Sequence, residues 1–528
     1  MSHARLLRRV TPLLAVLAGG ATASVACSKS SDDPGGAAGT SNASSGGSGN
    51  TSGGTAGSTA TTGGSTATTG GSGNGGSNPT AGTGNGGTSS GGTANGGSGG
   101  TGNVVCDASA APAVSKLGLQ TVVQSNDFRV LVYAAQAPGS DDWYLVDALG
   151  KVRVFSGGTL QATPFLDLGS EVMGSDFGDS APAGGSQDYD ERGLLSIAFP
   201  PDYAASGKFY VALVPTSGSS IDHDLVLEYT RSSANPLVAD PASRKVIFEL
   251  EEGGVGYMQQ GFSYAKYHNG STLVFGPDGK LYFGFGDGGG DCNAARPGAP
   301  QDVSSPYGKI LRLDPSQPAP YAAADNPFPD GDARVFHYGV RNPFRFSFDS
   351  ATGDLYIGEV GQWSHDSIAF APAGSKGLNF GWPSFEGTAQ NPTQQCASNT
   401  PLRSGSTRSN PIFNLAHGSS GGVSNLIVAI VGGSVYRGSA IPELSGAYLF
   451  GEYYPNRPMR ALYQCGTQTS EVSVIQKRCD PNTPNAACFA PTNGAPELSQ
   501  VAAIVEGHDK ELYIPANGNA LLKIVPAP

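Results

Sequence analysis

Two short strings in the middle of this chain bring together side chains that can move a proton. Tyr267-His268-Asn269-Gly270 precedes one strand-forming run, and Gly286-Asp287-Gly288-Gly289 closes the next. If the two runs form a hairpin, both strings arrive at one rim and the Asp287 carboxylate meets the His268 imidazole. A carboxylate on one ring nitrogen fixes the tautomer and leaves the other nitrogen to act as a base. A solvated loop histidine is the plainer reading of the same residues. Further on, in Tyr338-Gly339-Val340-Arg341-Asn342-Pro343, the proline holds Asn342 extended. The Arg341 guanidinium there either clamps a carboxylate or developing oxyanion, or ties neighbouring loops together through their carbonyls. Gly358-Glu359-Val360-Gly361-Gln362, followed by Asn379-Phe380-Gly381-Trp382-Pro383, is a third neighbourhood, readable as site or as structural corner.

Several chemistries are excluded. Gly284 to Gly289 matches the dinucleotide fingerprint, but a cysteine and a proline-bearing loop follow it where a phosphate-binding helix should begin. Gly96-Gly97-Ser98-Gly99-Gly100 matches a nucleophile elbow only because its whole neighbourhood is built of those residues. The folded part holds no zinc motif, CxxC or P-loop. Redox chemistry here therefore calls for an organic cofactor or a non-metal electrophile.

The elements that must position these residues repeat along the chain. The clearest unit is Leu273-Val274-Phe275, the turn Pro277-Asp278-Gly279, then Leu281-Tyr282-Phe283. Proline sets the first turn dihedral, aspartate bonds back to the backbone, and glycine takes the positive φ that closes a hairpin. Comparable marks fall at Trp143-Tyr144, Phe209-Tyr210, Leu355-Tyr356, Tyr448-Leu449-Phe450 and Leu512-Tyr513. A lone hairpin is marginal in water, so such units pack on one another, and six in radial succession make a propeller. The expected class is all-β, a six-bladed β-propeller over 104–528, with two β-sandwiches as the rival. The long spacings between marks are loops, where sites are built.

The first hundred residues read differently. Arg5, Arg8 and Arg9, the apolar stretch Val10 to Ala21, and Ser24-Val25-Ala26 before Cys27 make residues 1–26 an export signal. Cys27 resembles a lipidation site, although Ser24 stands where a lipobox has leucine. Residues 27–103 form a linker, rich in Gly, Ser and Thr, with too little apolar surface to fold; the 34–103 part spans on the order of 45 Å as a coil. The net charge is −12 with no basic stripe, so nucleic acid is not an expected partner. Setting aside Cys27, six of the seven cysteines remain for disulfides, with Cys479 and Cys488 the natural short-loop pair.

In this order, the strings Glu191 to Phe199, His268 to Gly289, Gly308 to Asp314, Tyr338 to Phe348, Gly353 to Gly361 and Gly381-Trp382-Pro383 resemble the glucose/sorbosone dehydrogenase family. That family includes the soluble quinoprotein aldose dehydrogenases and the hedgehog-interacting propellers. The resemblance implies a sugar or polyol dehydrogenase using pyrroloquinoline quinone (PQQ) and calcium, with a small-molecule sugar and an electron acceptor as partners. It implies that His268 is the general base, that Asp287 orients it, and that Arg341 and Asn342 contact the quinone. Glu191 matches a cofactor-contacting glutamine, while Gly361 and Gln362 fall where backbone carbonyls meet calcium. Two cationic contacts to the cofactor depart from the pattern. After the fifth-blade strand only Arg457 stands in for a lysine. Glu497-Leu498-Ser499-Gln500 has no counterpart to an arginine pair. Each lost charge-assisted bond costs about 1.5–3 kcal/mol of binding. The alternative expectation is a non-catalytic, surface-tethered propeller that binds glycan or protein. In either case the protein is expected outside the cytoplasm, at the cell surface or in the periplasm.

Overall fold

The computed structural model describes Val114 and residues from Lys116 to Ala527, apart from several internal stretches, the longest being 173–190 and 418–428. The expectations for the leader, Cys27 and the linker fall outside the described residues.

Alternating apolar residues and glycine-bearing turns fold this part into six antiparallel sheets of four or five strands, each a propeller blade, beside two short two-stranded sheets. Blade one runs Leu131–Gln136, Trp143–Asp147 and Lys151–Ser156, with two short strands completing its edge. Blade two is Gly193–Ala198, Lys208–Val214, His223–Arg231 and Ala239–Glu251, and blade three is Leu273–Phe275, Leu281–Phe285, Lys309–Leu313 and Val335–Tyr338. Blade four is Pro343–Phe348, Leu355–Glu359, His365–Ala371 and Phe413–Ala416, and blade five is Ile430–Val435, Tyr448–Glu452, Met459–Cys465 and Gln468–Ile475. Blade six takes Val505–Glu506, Leu512–Ala516 and Ala520–Pro526 from the end of the chain and Leu117–Gln124 from its start. That last pairing, Leu117 opposite Pro526 through Gln124 opposite Ala520, joins the two ends of the domain and closes the ring. Neighbouring blades touch through their inner strands around the circle, except that blade three meets the inner strand of blade four through its second strand, Leu281–Phe285.

Every one of the six hydrophobic–aromatic marks lies on the second strand of a blade. Neighbouring blades cover those strands on both faces, so Trp143–Asp147, Leu281–Phe285, Tyr448–Glu452 and Leu512–Ala516 are buried throughout. The expected hairpin of blade three forms, with Leu273 opposite Phe283 and Gly279 at φ +71°. Cys479 and Cys488 are bonded to each other.

One side chain crosses the centre. Arg345, on the inner strand of blade four, donates from Nε to the Ala502 carbonyl (3.1 Å), from Nη1 to Leu195 (3.2 Å) and from Nη2 to Val132 (3.0 Å). It stitches blade four to blades one and two and to the segment entering blade six. Because inner strands begin and second strands end at one rim, the loops carrying His268, Asp287, Arg341 and Glu359 all emerge there.

Candidate active site

The His268 loop packs unusually close to the end of its own hairpin. A Cβ on Gly270 would lie 1.9 Å from the Gly284 carbonyl oxygen, and one on Gly286 would lie 2.1 Å from that of His268. Only glycine permits this approach. It brings His268 Nδ1 within 2.6 Å of Asp287 Oδ1. His268 itself is held at φ +61°, a left-handed conformation that costs a non-glycine residue roughly 1 kcal/mol or more. Its backbone N–H donates to Glu191 Oε2 at 2.7 Å, one of the contacts that hold the turn.

Asp287 is fully buried, yet it keeps its charge. Besides His268, its Oδ1 accepts from the Gly289 N–H (2.9 Å), and Oδ2 accepts from the Trp382 indole Nε1–H (2.8 Å). Burial opposes ionisation, but the imidazole, the Arg341 charge and these donors together hold its carboxyl below the usual range. A charged acceptor on Nδ1 puts the proton there, so Nε2 carries the lone pair. Nε2 makes no hydrogen bond among the described residues, and the ring is buried except for a small exposed edge. The string that holds Trp382 reads from sequence as site or as structural corner, and its indole anchors the site carboxylate.

Glu191 accepts from Asn342 Nδ2 (3.3 Å) as well as from His268, and burial raises its carboxyl above the ordinary value. The Asn342 Oδ1 is buried with no partner among the described residues. Arg341 is fixed at both ends: its N–H bonds to Glu359 Oε1, and Nη1 donates to the carbonyls of Val360 (3.0 Å) and Gly361 (2.8 Å). Its guanidinium lies over the Trp382 ring, 5.5 Å from the centroid. Glu359 is pushed up to about 8, mainly by burial.

The Gly361 turn is anchored from outside. Asp366 Oδ1 accepts from the Gly361 N–H (2.9 Å) and from His417 Nε2 (2.8 Å). A single oxygen, Glu386 Oε1, accepts the N–H groups of Gln362, Trp363, Ser364 and His365 at 2.6–3.2 Å. Gln362 Oε1 takes the Cys292 N–H, tying this turn to the loop after Asp287. Glu386 gave no signal in the sequence, since it lies 24 residues beyond Gln362.

Blade five joins this network where the Ile430 N–H donates to Asp366 Oδ2 at 2.8 Å. Arg457 is buried and lies near Glu452, whose carboxylate oxygens are both buried without a partner among the described residues. A buried amine missed by sequence reading is also there: Lys477 Nζ donates to the carbonyls of Glu452 and Tyr454, both at 2.7 Å.

The two implied cofactors fit unequally. At Gly361 the carbonyl already accepts from a guanidinium, and the described residues hold no group of three His, Cys, Asp or Glu side chains arranged for a metal. As arranged, this turn does not fit calcium. An organic quinone fits better, because the Arg341 Nε–H is a buried donor without a partner, which a quinone or carboxylate oxygen can take.

A family model described as Glucose / Sorbosone dehydrogenase matches residues 180–478, more than half of the chain. The chain belongs to this family. Within it, the HIPL1 protein of Arabidopsis thaliana is 28% identical over 431 residues, covering 70% of this chain and 56% of that one. Hedgehog-interacting protein of Mus musculus is 32% identical over 232 residues, 42% of this chain and 30% of that one. An aldose sugar dehydrogenase of Escherichia coli is 29% identical over 212 residues, 39% of this chain and 51% of that one. The chain thus spans little more than half the length of the first of these. Among solved structures, the soluble aldose sugar dehydrogenase from Escherichia coli superposes with a TM-score of 0.53 at 16% identity, covering 78% of this chain and all of that one. A putative glucose dehydrogenase from Thermus has a TM-score of 0.52 at 19% identity, with the same coverage. Both share the propeller fold.

Proposed function

We propose that this family member oxidises a sugar or polyol at a C–OH group, with PQQ as the hydride acceptor. The observation that carries the reading is the buried Trp382–Asp287–His268 chain, which leaves one imidazole nitrogen free at the rim. His268 Nε2 takes the hydroxyl proton as the C–H hydride departs, so the carbon becomes a carbonyl and the imidazole a cation. Asp287 stabilises that cation, and Trp382 and Gly289 keep Asp287 ionised and in place. When bound, the quinone supplies the two-electron sink. Arg341 Nε and Asn342 are the residues that would hold it beside the base. Calcium is not part of this proposal.

A second reading, a propeller that binds glycan or protein without turnover, is favoured by one feature. The Arg341 guanidinium spends two hydrogen bonds on its own carbonyls, and no cation stands at 497–500 to replace it. Calorimetric titration of the protein with PQQ, followed by a sugar screen with an artificial acceptor, separates the two. Micromolar binding and turnover that disappears in His268→Ala support the dehydrogenase. Absence of PQQ binding, or turnover that survives His268→Ala, overturns it. From residues 1–26 we also propose export, with Cys27 as a lipid anchor and residues 27–103 as the tether.

A further inference from the structure

Behind the Trp382–Asp287–His268 chain lies a second buried polar group, a pair of amides with no acid–base chemistry of their own. Gln301 ends a short turn, Ala299–Gln301, in the loop between the second and third strands of blade three. Asn379 stands 78 residues further on, in the loop after the third strand of blade four. Both are buried, and their side chains face each other. Gln301 Nε2 donates to Asn379 Oδ1 (3.0 Å), and Asn379 Nδ2 donates back to Gln301 Oε1 (2.8 Å). The rest of each amide is also taken. Gln301 Nε2 donates to the Trp382 carbonyl (2.7 Å), and Oε1 accepts the Arg403 N–H (3.0 Å). Asn379 Oδ1 accepts the Gly381 N–H (2.9 Å), and Nδ2 donates to Ser406 Oγ (3.0 Å). A side-chain amide has two donor hydrogens and two acceptor lone pairs. Every one is used here, so neither side chain can flip without losing all its bonds at once.

The turn that carries Gln301 is itself pinned. Lys309, fully buried, donates from Nζ to the carbonyls of Ala299 (2.7 Å), Pro300 (3.1 Å) and Tyr307 (2.5 Å). The Gly339 N–H adds a bond to Pro300 (3.0 Å). Gly339, at φ +77°, packs so close that a Cβ there would lie 2.5 Å from Asn379 Oδ1 and 2.8 Å from Gln301 Nε2. What this frame holds is Trp382. Its N–H donates to the Gly339 carbonyl (2.8 Å) and its carbonyl accepts from Gln301, so its backbone is fixed on both sides while the indole reaches Asp287 Oδ2. A satisfied amide pair that only closes the fold is the plain alternative. Breaking such a pair costs stability alone, whereas breaking a pair that aims the indole also changes what the indole does.

We propose that Gln301, locked by Asn379, is a positioning residue of this site. It holds the Trp382 backbone so that the indole N–H stays on Asp287, and it acts on His268 only through that chain. This rests on the sugar-oxidation reading and extends it one layer behind the groups that react.

The test uses the full chain with isotope-labelled tryptophan. Three tryptophans give three indole N–H signals in a nitrogen–proton correlation spectrum, and the Trp382 signal is the one missing from Trp382→Phe. In Gln301→Met, which keeps the length and removes the amide, that signal should move upfield and exchange with solvent about tenfold faster or more. Tyr436→Phe breaks a buried bond to Glu511, just past the far end of the Ile430–Val435 strand. It controls for lost stability and should leave the signal in place. Loaded with PQQ and assayed on D-glucose, Gln301→Met should lose about three- to tenfold in kcat, with KM within about twofold of wild type. The double variant with Trp382→Phe should be no slower than Trp382→Phe alone, because no indole is left to position. Gln301→Glu, of the same length but without the amide donors, should show the same changes in smaller measure, and it replaces the methionine variant if that one does not fold. An unmoved Trp382 signal, or losses that add in the double variant, overturns the proposal. Turnover that survives in His268→Ala sinks the dehydrogenase reading instead, and the indole signal then decides by itself whether Gln301 positions Trp382.

Discussion

Blades three and five each send an acid from the end of the second strand to the same rim, and the two acids have opposite fates. Asp287, just past Leu281–Phe285, accepts from an imidazole, an indole and a backbone N–H, and stays ionised although fully buried. Glu452, the last residue of Tyr448–Glu452, accepts nothing among the described residues and is pushed up to about 7, mainly by burial. Arg457, Arg460 and Lys477 lie near enough to pull it back, while Asp366 pushes with the burial. Lys477, itself brought down to about 7 by burial, gives its hydrogen bonds to carbonyls instead. Depth is similar in the two places. At Asp287 the charge of a directly bonded partner acts together with directed donors, whereas the charges near Glu452 make no hydrogen bond to it among the described residues.

The largest break of this contrast is Asp287→Asn. Without the anion, Nδ1 loses its charged partner and the tautomer is no longer set, so kcat should fall at least a hundredfold. The same substitution should remove an acid-stability step. The folded carboxyl lies below its ordinary value of 3.8, so its contribution is complete above that pH and is lost as pH falls through the lower folded value. Urea unfolding below pH 4 should show the step in the wild type and not in the variant.

Trp382→Phe is a milder probe, since it deletes one donor and keeps the ring. Asp287 Oδ2 is then left buried without its indole partner, with an expected loss of about 1–2 kcal/mol in stability and about tenfold in kcat/KM. Equal kinetics in the two proteins would show that the indole is only a filler.

Glu452→Gln should change the pH dependence of stability rather than turnover, and in the opposite direction. The folded carboxyl holds its proton to about 7 and the unfolded one only to its ordinary 4.5, so wild-type stability falls as pH rises between those values. The amide does not titrate. The variant should therefore gain about 1–3 kcal/mol on the wild type at pH 8 relative to pH 4, read from paired urea curves. A wild-type stability that is flat across this window would show that Glu452 is already ionised and paired.

The legible parts of the molecule were local. Pro277-Asp278-Gly279 announces its hairpin because each residue answers one dihedral or hydrogen-bond need of the turn, and Gly279 takes the positive φ. The hydrophobic–aromatic marks identify second strands because a strand covered on both faces must be apolar throughout. His268 and Asp287 were readable as a pair because a single hairpin joins them. Glu386, Lys477 and Arg345 were not, since no single hairpin joins them to their partners, and Arg345 binds carbonyls at least 150 residues away. No spacing rule encodes such a contact.

By itself, then, the sequence determined the blades, their number, and which histidine and carboxylate share a rim, because hairpin geometry acts over a few residues. Tertiary structure alone decided that Leu117–Gln124 closes the last blade. It also decided that the Arg341 guanidinium rests on the carbonyls of Val360 and Gly361, and that Glu386 keeps one oxygen in reserve. Those outcomes depend on which groups meet when six blades close on one another, and on burial that raises the cost of every polar atom left without a partner.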